Sequence, residues 1–307
     1  MGTQLSDKVV SLAALTEQVE EAKRVTLEKK SGRKFTPPTE QALLELYDSD
    51  EKMRERALEA QIPFISENTG FVLYPGLVLI GGVSGRGKST LAANILAGFL
   101  TTKNKGEALV ISNEESLGSI YNRIACIMLG LSFFKYHNGR YTERERRSVR
   151  EAAQDIIKRV KVCQVAGWDM SIMEDVQAML EYAAESGSSI ALADYFQTIS
   201  TSRKHPDLES FQVHKRFGFW LKDYACKVPM PVVMFAQLKT DSENHEIKDR
   251  IENDRTIANH AFQVIEVVPD FDACNSNFKM HKDRFGGQTN KDITMSFKEG
   301  RFEQESL

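Results

Sequence analysis

Apolar positions along the chain fall into two regimes. Over residues 6–30, Val9, Leu12, Ala13, Leu15, Val19 and Ala22 recur near a 3.6-residue period with charges between them, which predicts a helix. Gly32, Pro37 and Pro38 break that pattern. A second helix is predicted from Thr39 to about Ala60, with Leu43, Leu44, Leu46, Tyr47, Met53 and Leu58 as its apolar stripe. About 60 residues are too few for a sound core of their own. Residues 1–65 are therefore expected to be a helical N-terminal segment and linker helix. It would dock on the main domain or on a neighbouring subunit.

From residue 66 onward the pattern changes, and 66–307 is expected to be one domain. Short apolar runs predict strands at 77–81, 108–112, 160–165, 189–194 and 232–237. Between them, helices are predicted over 89–100, 117–129, 142–159, 172–184 and 211–226. Such alternation predicts an α/β fold with a doubly wound, mostly parallel sheet. Residues 277–302 show strand-like alternation around Gly286 and Gly287, which predicts a C-terminal antiparallel hairpin.

Composition narrows the class. The chain has 307 residues, 41% hydrophobic and 27% charged, enough for a large buried core. A formal net charge of -3 argues against a wholly basic nucleic-acid coat but permits a local basic channel. Cys126, Cys163, Cys226 and Cys274 are scattered without metal-type spacing, and are expected to be reduced and mostly buried. The six histidines show no metal spacing either. Neither a membrane-spanning run nor a signal-peptide pattern is seen, so a cytoplasmic protein without a membrane partner is expected.

The chemistry concentrates at Gly82-Val83-Ser84-Gly85-Arg86-Gly87-Lys88-Ser89, which fits GxxxxGK[ST]. Glycines let successive N–H groups face phosphates, and the following helix offers its N-terminus to the same charge. Gly82, Ser84, Gly85, Arg86, Gly87, Lys88, Ser89 and Thr90 are the expected ATP-binding residues. Lys88 would reach the β- and γ-phosphates and Ser89 would ligate Mg²⁺. The competing reading, a glycine-rich turn, is disfavoured because a strand precedes the loop and a helix follows it.

Hydrolysis also needs acids. Ile190-Ala191-Leu192-Ala193 runs into Asp194, a Walker B pattern in which Asp194 holds Mg²⁺ through water. Tyr195 follows, where many ATPases place the water-activating Glu. The strand ending at Asn113 is followed by Glu114 and Glu115, and Glu114 is the expected catalytic acid.

These residues resemble a known group. Asp194-Tyr195-Phe196-Gln197 looks like the DYxQ signature of DnaB-type replicative helicases, in the RecA superfamily. Asn113-Glu114-Glu115-Ser116 resembles the acid motif of ring helicases, and Arg123 also sits where that family carries Arg. Phe235-Ala236-Gln237-Leu238 is similar to its SQL segment, and Lys282-Asp283-Arg284 to its K-x-R finger. Thr69-Gly70-Phe71 and Pro75-Gly76 resemble the start of the helicase domain. The motifs fall in the family's order over about residues 66–304.

The resemblance implies a RecA-like ATPase that forms a homo-hexameric ring with single-stranded DNA in its pore. ATP would lie between subunits. Gln237 would sense the γ-phosphate, and Lys282 and Arg284 would complete the neighbour's site. Primase or other replisome proteins are further implied partners.

Two regions depart from the pattern. The family's large N-terminal domain has no counterpart here, which would suit a phage or plasmid protein acting in the host cytoplasm. The expected pore segment at 241–262 mixes acids with its cations. Lys239, Lys248, Arg250 and Arg255, together with Arg203 and Lys204 after the Walker B strand, are the expected phosphate contacts to DNA. Trp168 is expected to pack rather than to stack on a base. Two other functions stay open: a RecA-like recombination or strand-exchange ATPase, and a non-unwinding, nucleotide-gated replication accessory protein.

Overall fold

In the computed structural model of the chain, the described residues run from 39 to 303. Residues 42, 43, 46, 49, 50, 52–54, 56–58, 104, 105, 113, 114, 164–167, 240–245, 252–255, 271, 285–288 and 290 within that range are not described. The chain divides into two units, Met1–Lys52 and Met53–Leu307. In the first, residues 40, 41, 44, 45, 47, 48 and 51 are helical, within the second predicted helix. The helix predicted over 6–30 lies outside the described residues.

In the larger unit, β1 (Ile62–Pro63) and β2 (Val72–Leu73) form a small antiparallel pair. The main strands are β3 (Gly76–Val83), β4 (Ala108–Ser112), β5 (Val160–Cys163), β6 (Ile190–Asp194), β7 (Pro231–Leu238) and β8 (Gln263–Asp270). They continue into β9 (Asn275–Asp283), β10 (Asp292–Lys298) and β11 (Arg301–Glu303). The sheet has nine strands in the order β11-β10-β9-β8-β3-β7-β6-β4-β5. From β8 to β5 all neighbours are parallel, and from β8 to β11 they are antiparallel.

The helices are α1 (Lys88–Thr101), α2 (Leu117–Leu129), α3 (Phe133–His137), α4 (Glu143–Ile156) and α5 (Met173–Glu185). They continue with α6 (Ser210–Ala225), α7 (Ile247–Arg250) and α8 (Thr256–His260). The period of two along each strand explains why helices cover both faces. Val78 and Ile80 of β3 enter the core under α1 and α2, while Leu77 and Leu79 enter the core under α5 and α6. The same split separates Ile190 and Leu192 from Ala191 and Ala193 on β6. Fully burying such a Leu or Ile contributes about 1.5–3 kcal/mol.

Gly98 of α1 shows why a helix tolerates its poorest ordinary former. A Cβ there would lie 1.6 Å from the Ile65 carbonyl oxygen, so the helix packs backbone to backbone against Ile65. Phe64 and Ile65, placed by the sequence reading in the N-terminal segment, are core residues of the larger unit.

Several elements escaped prediction, β8 and α3 among them. β8 carries Gln263 and Glu266 among its apolar residues and ends in Pro269-Asp270, so neither strict alternation nor a clean apolar run marks it. α3 is only five residues long, too short for a helical period. The predicted C-terminal hairpin is present as β9–β10, but inside a four-strand antiparallel extension.

Candidate functional site

Register brings the motifs to one edge. Gly82 pairs with Gln237 across β3–β7, and Ser112 with Asp194 across β4–β6. Both pairs lie at the carboxyl ends of parallel strands, where open α/β sheets bind ligands.

The phosphate loop connects β3 to α1. Gly85 (φ +70°) and Gly87 (φ +90°) are left-handed, with open space where a Cβ would project. Other residues are strained at such angles, which accounts for glycine at both. Lys88 Nζ donates to the carbonyls of Gly82 (3.1 Å) and Val83 (3.2 Å). Ser89 Oγ donates to Asp194 Oδ2 at 3.1 Å, and Asp194 is buried. Ser84, Lys88, Ser89, Glu115, Tyr195 and Gln237 are among the residues lining a cleft of about 320 Å³. Arg86 and Thr90 flank it: Arg86 N donates to the Val83 carbonyl, and Thr90 lines the wall.

Gln197 holds Gln237 in place. Its side-chain Nε2 donates to the Gln237 carbonyl (3.1 Å) and its Oε1 accepts from the Gln237 N–H (3.0 Å). The DYxQ resemblance includes Gln197 but does not reveal this contact, because its partner lies 40 residues away on another strand.

The acid at the β4 tip divides in two. Glu114 lies outside the described residues. Glu115 accepts from Arg123 (2.6 Å) and from Ser119 Oγ (2.8 Å). Arg123 also donates to Thr90 Oγ1 at 3.3 Å, which ties α2 to the start of α1.

Lys282 and Arg284 sit elsewhere. Asp283 pairs with Gln263, which is level with Val78, so both cations lie toward the amino end of β3. Lys282 Nζ donates to the carbonyls of Ala258 (3.0 Å) and Asn259 (2.9 Å). Burial, and then the Arg284 charge, press its pKa down to about 8. The Arg284 guanidinium donates to Asn259 O at 3.4 Å and lies over the Phe262 ring at 5.5 Å. With a rise of about 3.3 Å per residue, the four steps from Val78 to Gly82 put roughly 13 Å between this level and the start of the phosphate loop.

The expected DNA contacts fare unevenly. Arg250 is a correction: it is 6% exposed, and its guanidinium donates to Glu266, which also accepts from His281 Nε2 at 2.8 Å. A buried, paired guanidinium is not a surface phosphate contact. Burial pushes the Glu266 carboxyl up, but the His281 hydrogen bond and the Arg250 charge outweigh it and hold it below the usual range. Arg203 pairs bidentately with Asp175 at the start of α5. Lys248 pairs with Glu246 at 2.5 Å. Lys204 and Lys239 are exposed. Arg255 lies outside the described residues.

Two smaller expectations change. Trp168 is 44% exposed rather than packed. All four cysteines are free, but only Cys126 is buried, with its thiol pushed by burial up to about 12, while Cys226 and Cys274 are exposed.

The Ser89 hydroxyl and Asp194 carboxylate present adjacent oxygens of the kind a Mg²⁺ ion takes alongside phosphate, and they fit such a site. The sheet and this cleft define a P-loop protein with a RecA-like core. The profile of the DnaB-like helicase C-terminal domain matches residues 68–254, more than half the chain, and the chain belongs to that family. One solved ATPase domain aligns with a TM-score of 0.66 at 14% identity, over 89% of this chain and 100% of that one. A DnaB-like replicative helicase, whose structure was described with its interactions with primase, aligns with a TM-score of 0.66 at 14% identity. That alignment covers 96% of this chain and 76% of the other. At such identity the likeness shows the fold. No curated protein matches the chain. Among the described residues, no helix is long and apolar enough to cross a membrane.

Proposed function

We propose that the chain is an ATP-hydrolysing, ring-forming helicase motor that moves on single-stranded DNA in replication. The observation that carries this is the separation of two half-sites. The phosphate loop, Ser89, Asp194 and Gln237 meet at the carboxyl edge of the sheet. Lys282 and Arg284 lie toward its other end. A shared site between adjacent copies, in a hexameric ring, joins the two halves.

In this reading Lys88 leaves the Gly82 and Val83 carbonyls for the β- and γ-phosphates, a charge-for-carbonyl exchange that favours phosphate. Ser89 and Asp194 would hold Mg²⁺, which would supply counter-charge for the phosphates. Glu114 orients and deprotonates the attacking water. Gln237, clamped by Gln197, meets the γ-phosphate side of the cleft. Arg284 from the neighbour offers its fork of donors to the charge developing on the transferred phosphoryl group, with Lys282 as a point charge. Lys204, Lys239 and Lys248 are the exposed cations that supply phosphate contacts to the strand. Primase is a proposed partner.

The test is strand displacement on forked DNA, with ATP hydrolysis measured in parallel. Lys88→Ala and Arg284→Ala are each expected to lose at least 100-fold of DNA-stimulated hydrolysis. Mixing the two recovers activity above either alone, because some interfaces then pair an intact loop with an intact finger. Full activity in Arg284→Ala alone would sink the shared site.

A further inference from the structure

One large apolar side chain, in the turn between β5 and α5, stands in water. Trp168 is 44% exposed, and among the described residues its ring makes no hydrogen bond and stacks on no other ring. We infer that Trp168 is a base-stacking residue for a single nucleic-acid strand, set beside Lys204, which meets a phosphate of the same strand. The inference rests on the chain acting on a single strand, as proposed above, and adds to that reading a contact with the base rings.

Position is the first argument. β5 and β6 leave the sheet at one edge, since Cys163 and Ala193 are both level with Ile111 of β4. The turn that holds Trp168 follows β5, and the 199–204 segment follows Asp194 and Gln197 after β6. The two segments are zipped together. The Ser200 and Thr201 N–H groups both donate to the Ser171 carbonyl (2.9 Å each), and the Met173 N–H donates to the Thr201 carbonyl (2.9 Å). A strand lying on the 199–204 segment therefore meets the Trp168 turn as well.

The support under the ring is braced from both sides. The Asp169 N–H donates to Asp175 Oδ2 at 2.8 Å, and the same carboxylate grips the Arg203 guanidinium. Asp169 Oδ1 accepts from the Ser171 N–H at 2.8 Å. Glu174 accepts from Ser202 Oγ and from the Arg203 and Lys204 N–H groups. Asp169, Glu174 and Asp175 are thus committed within the support. The Lys204 ammonium is exposed and makes no ion pair or hydrogen bond among the described residues. An exposed indole and a free cation share one backbone framework, and a framework ordered in advance lowers the entropy cost that stacking must offset.

The chemistry of the pair selects an unpaired strand. An indole offers a large flat face, and stacking on it tolerates any base. Lysine meets phosphate as a point charge and carries no sequence information. In a duplex the bases stack on one another and are closed to an indole. Trp168 and Lys204 together therefore grip any single strand and discriminate against paired DNA, which phosphate contacts alone do not.

Fluorescence titration of the full chain, with Mg²⁺ and a non-hydrolysable ATP analogue, tests this against oligothymidylate and an abasic oligomer of equal length. Wild type is expected to bind oligothymidylate about fivefold more tightly than the abasic oligomer, with tryptophan emission quenched as it binds. Trp220, the other of the two tryptophans, is stacked between Phe217 and Tyr224 (5.7 and 5.0 Å) and supplies a constant background. Trp168→Ala and Trp168→Phe both lose the quench. The alanine variant binds the two oligomers within about twofold of each other, and the phenylalanine variant, which keeps a smaller ring, retains part of the preference. Lys204→Ala weakens both oligomers about threefold and keeps the preference between them. Tight binding of oligothymidylate without a quench, or Trp168→Ala losing affinity equally for both oligomers, overturns the stacking contact while leaving the single-strand reading intact. So does a Trp168 emission that is blue-shifted and indifferent to DNA, which would mark the ring as covered by another protein surface. Binding of neither oligomer overturns both readings.

Discussion

At the phosphate loop, Lys88 donates to two backbone carbonyls on the rim of an open cleft, and Ser89 reaches across to Asp194. In the region from 246 to 284, Arg250 is sealed against Glu266, and His281 joins the same carboxylate. Both regions look alike in sequence, as short runs of cations among polar residues. Their physical states are opposite. Neutral carbonyls release a lysine to phosphate at a net cost of about 1 kcal/mol per hydrogen bond. A buried carboxylate does not release its guanidinium so readily, because separation strands a charge away from water. The first region is poised for exchange with a ligand. The second is a fixed brace that ties the 246–251 segment to β8 and β9, the strand that carries Lys282.

The largest expected effect probes that brace. Glu266→Gln leaves Arg250 buried without its counter-charge and is expected to lower stability by about 3 kcal/mol in urea unfolding. Ser89→Ala, at the partly open cleft, is expected to stay within about 1 kcal/mol of wild type. The sign with pH follows from the depressed Glu266 pKa. Its contribution is present above the unfolded value and is lost as pH falls through the folded one, so the variant loses least in acid. Equal losses in the two variants, or a brace variant no weaker than the cleft variant, would erase the contrast.

A smaller effect belongs to the loop after the Walker B strand. Glu174 accepts from Ser202 Oγ (2.6 Å) and from the Arg203 and Lys204 N–H groups (2.9 and 3.3 Å). Burial acts to raise its pKa, but these bonds hold it at about 2, below the ordinary 4.5. Folded stability from this group is therefore full above about pH 4.5 and drains away as pH falls toward 2. Glu174→Gln is expected to lose about 2 kcal/mol at neutral pH, after discounting the shift for solvent, and to flatten that acid limb. An unchanged limb in the variant would place the loop with the cleft, as a segment not fixed by its own chain.

How far each region was legible follows from where its constraint lies. The phosphate loop is readable because backbone capture of phosphate needs left-handed glycines at fixed spacing, and Gly85 and Gly87 meet that demand locally. The strands of the parallel sheet are readable because burial on both faces makes them short and apolar. Arg250 was misread as a DNA contact because a cation shows its charge in sequence but not its partner. Glu266 lies 16 residues on, in a strand whose polar residues hid it. Ile65 was grouped with the N-terminal segment because nothing local reveals that Gly98 admits its backbone.

The smallest effect tests the point where fold and cleft join. Gln197 is a part-buried amide whose two bonds to the Gln237 backbone replace water at the end of β7. Solvent at the cleft can restore part of that bonding, so Gln197→Ala is expected to cost only about 1 kcal/mol of stability. Its effect on turnover should exceed that share. Gln237 lines the cleft, and a strand end that wanders by a fraction of an ångström no longer presents its side chain to the γ-phosphate side. Under the proposed function, the expected result is a kcat for ATP lowered about tenfold with KM within about twofold, since Lys88 and the loop would still bind the triphosphate. Gln197→Glu separates clamp from packing: it keeps the acceptor for the Gln237 N–H but loses the donor to its carbonyl. It should fall between wild type and alanine in kcat. A variant that loses stability but keeps kcat would make Gln197 a structural residue only, and would leave Gln237 placed by β3 and β7 alone.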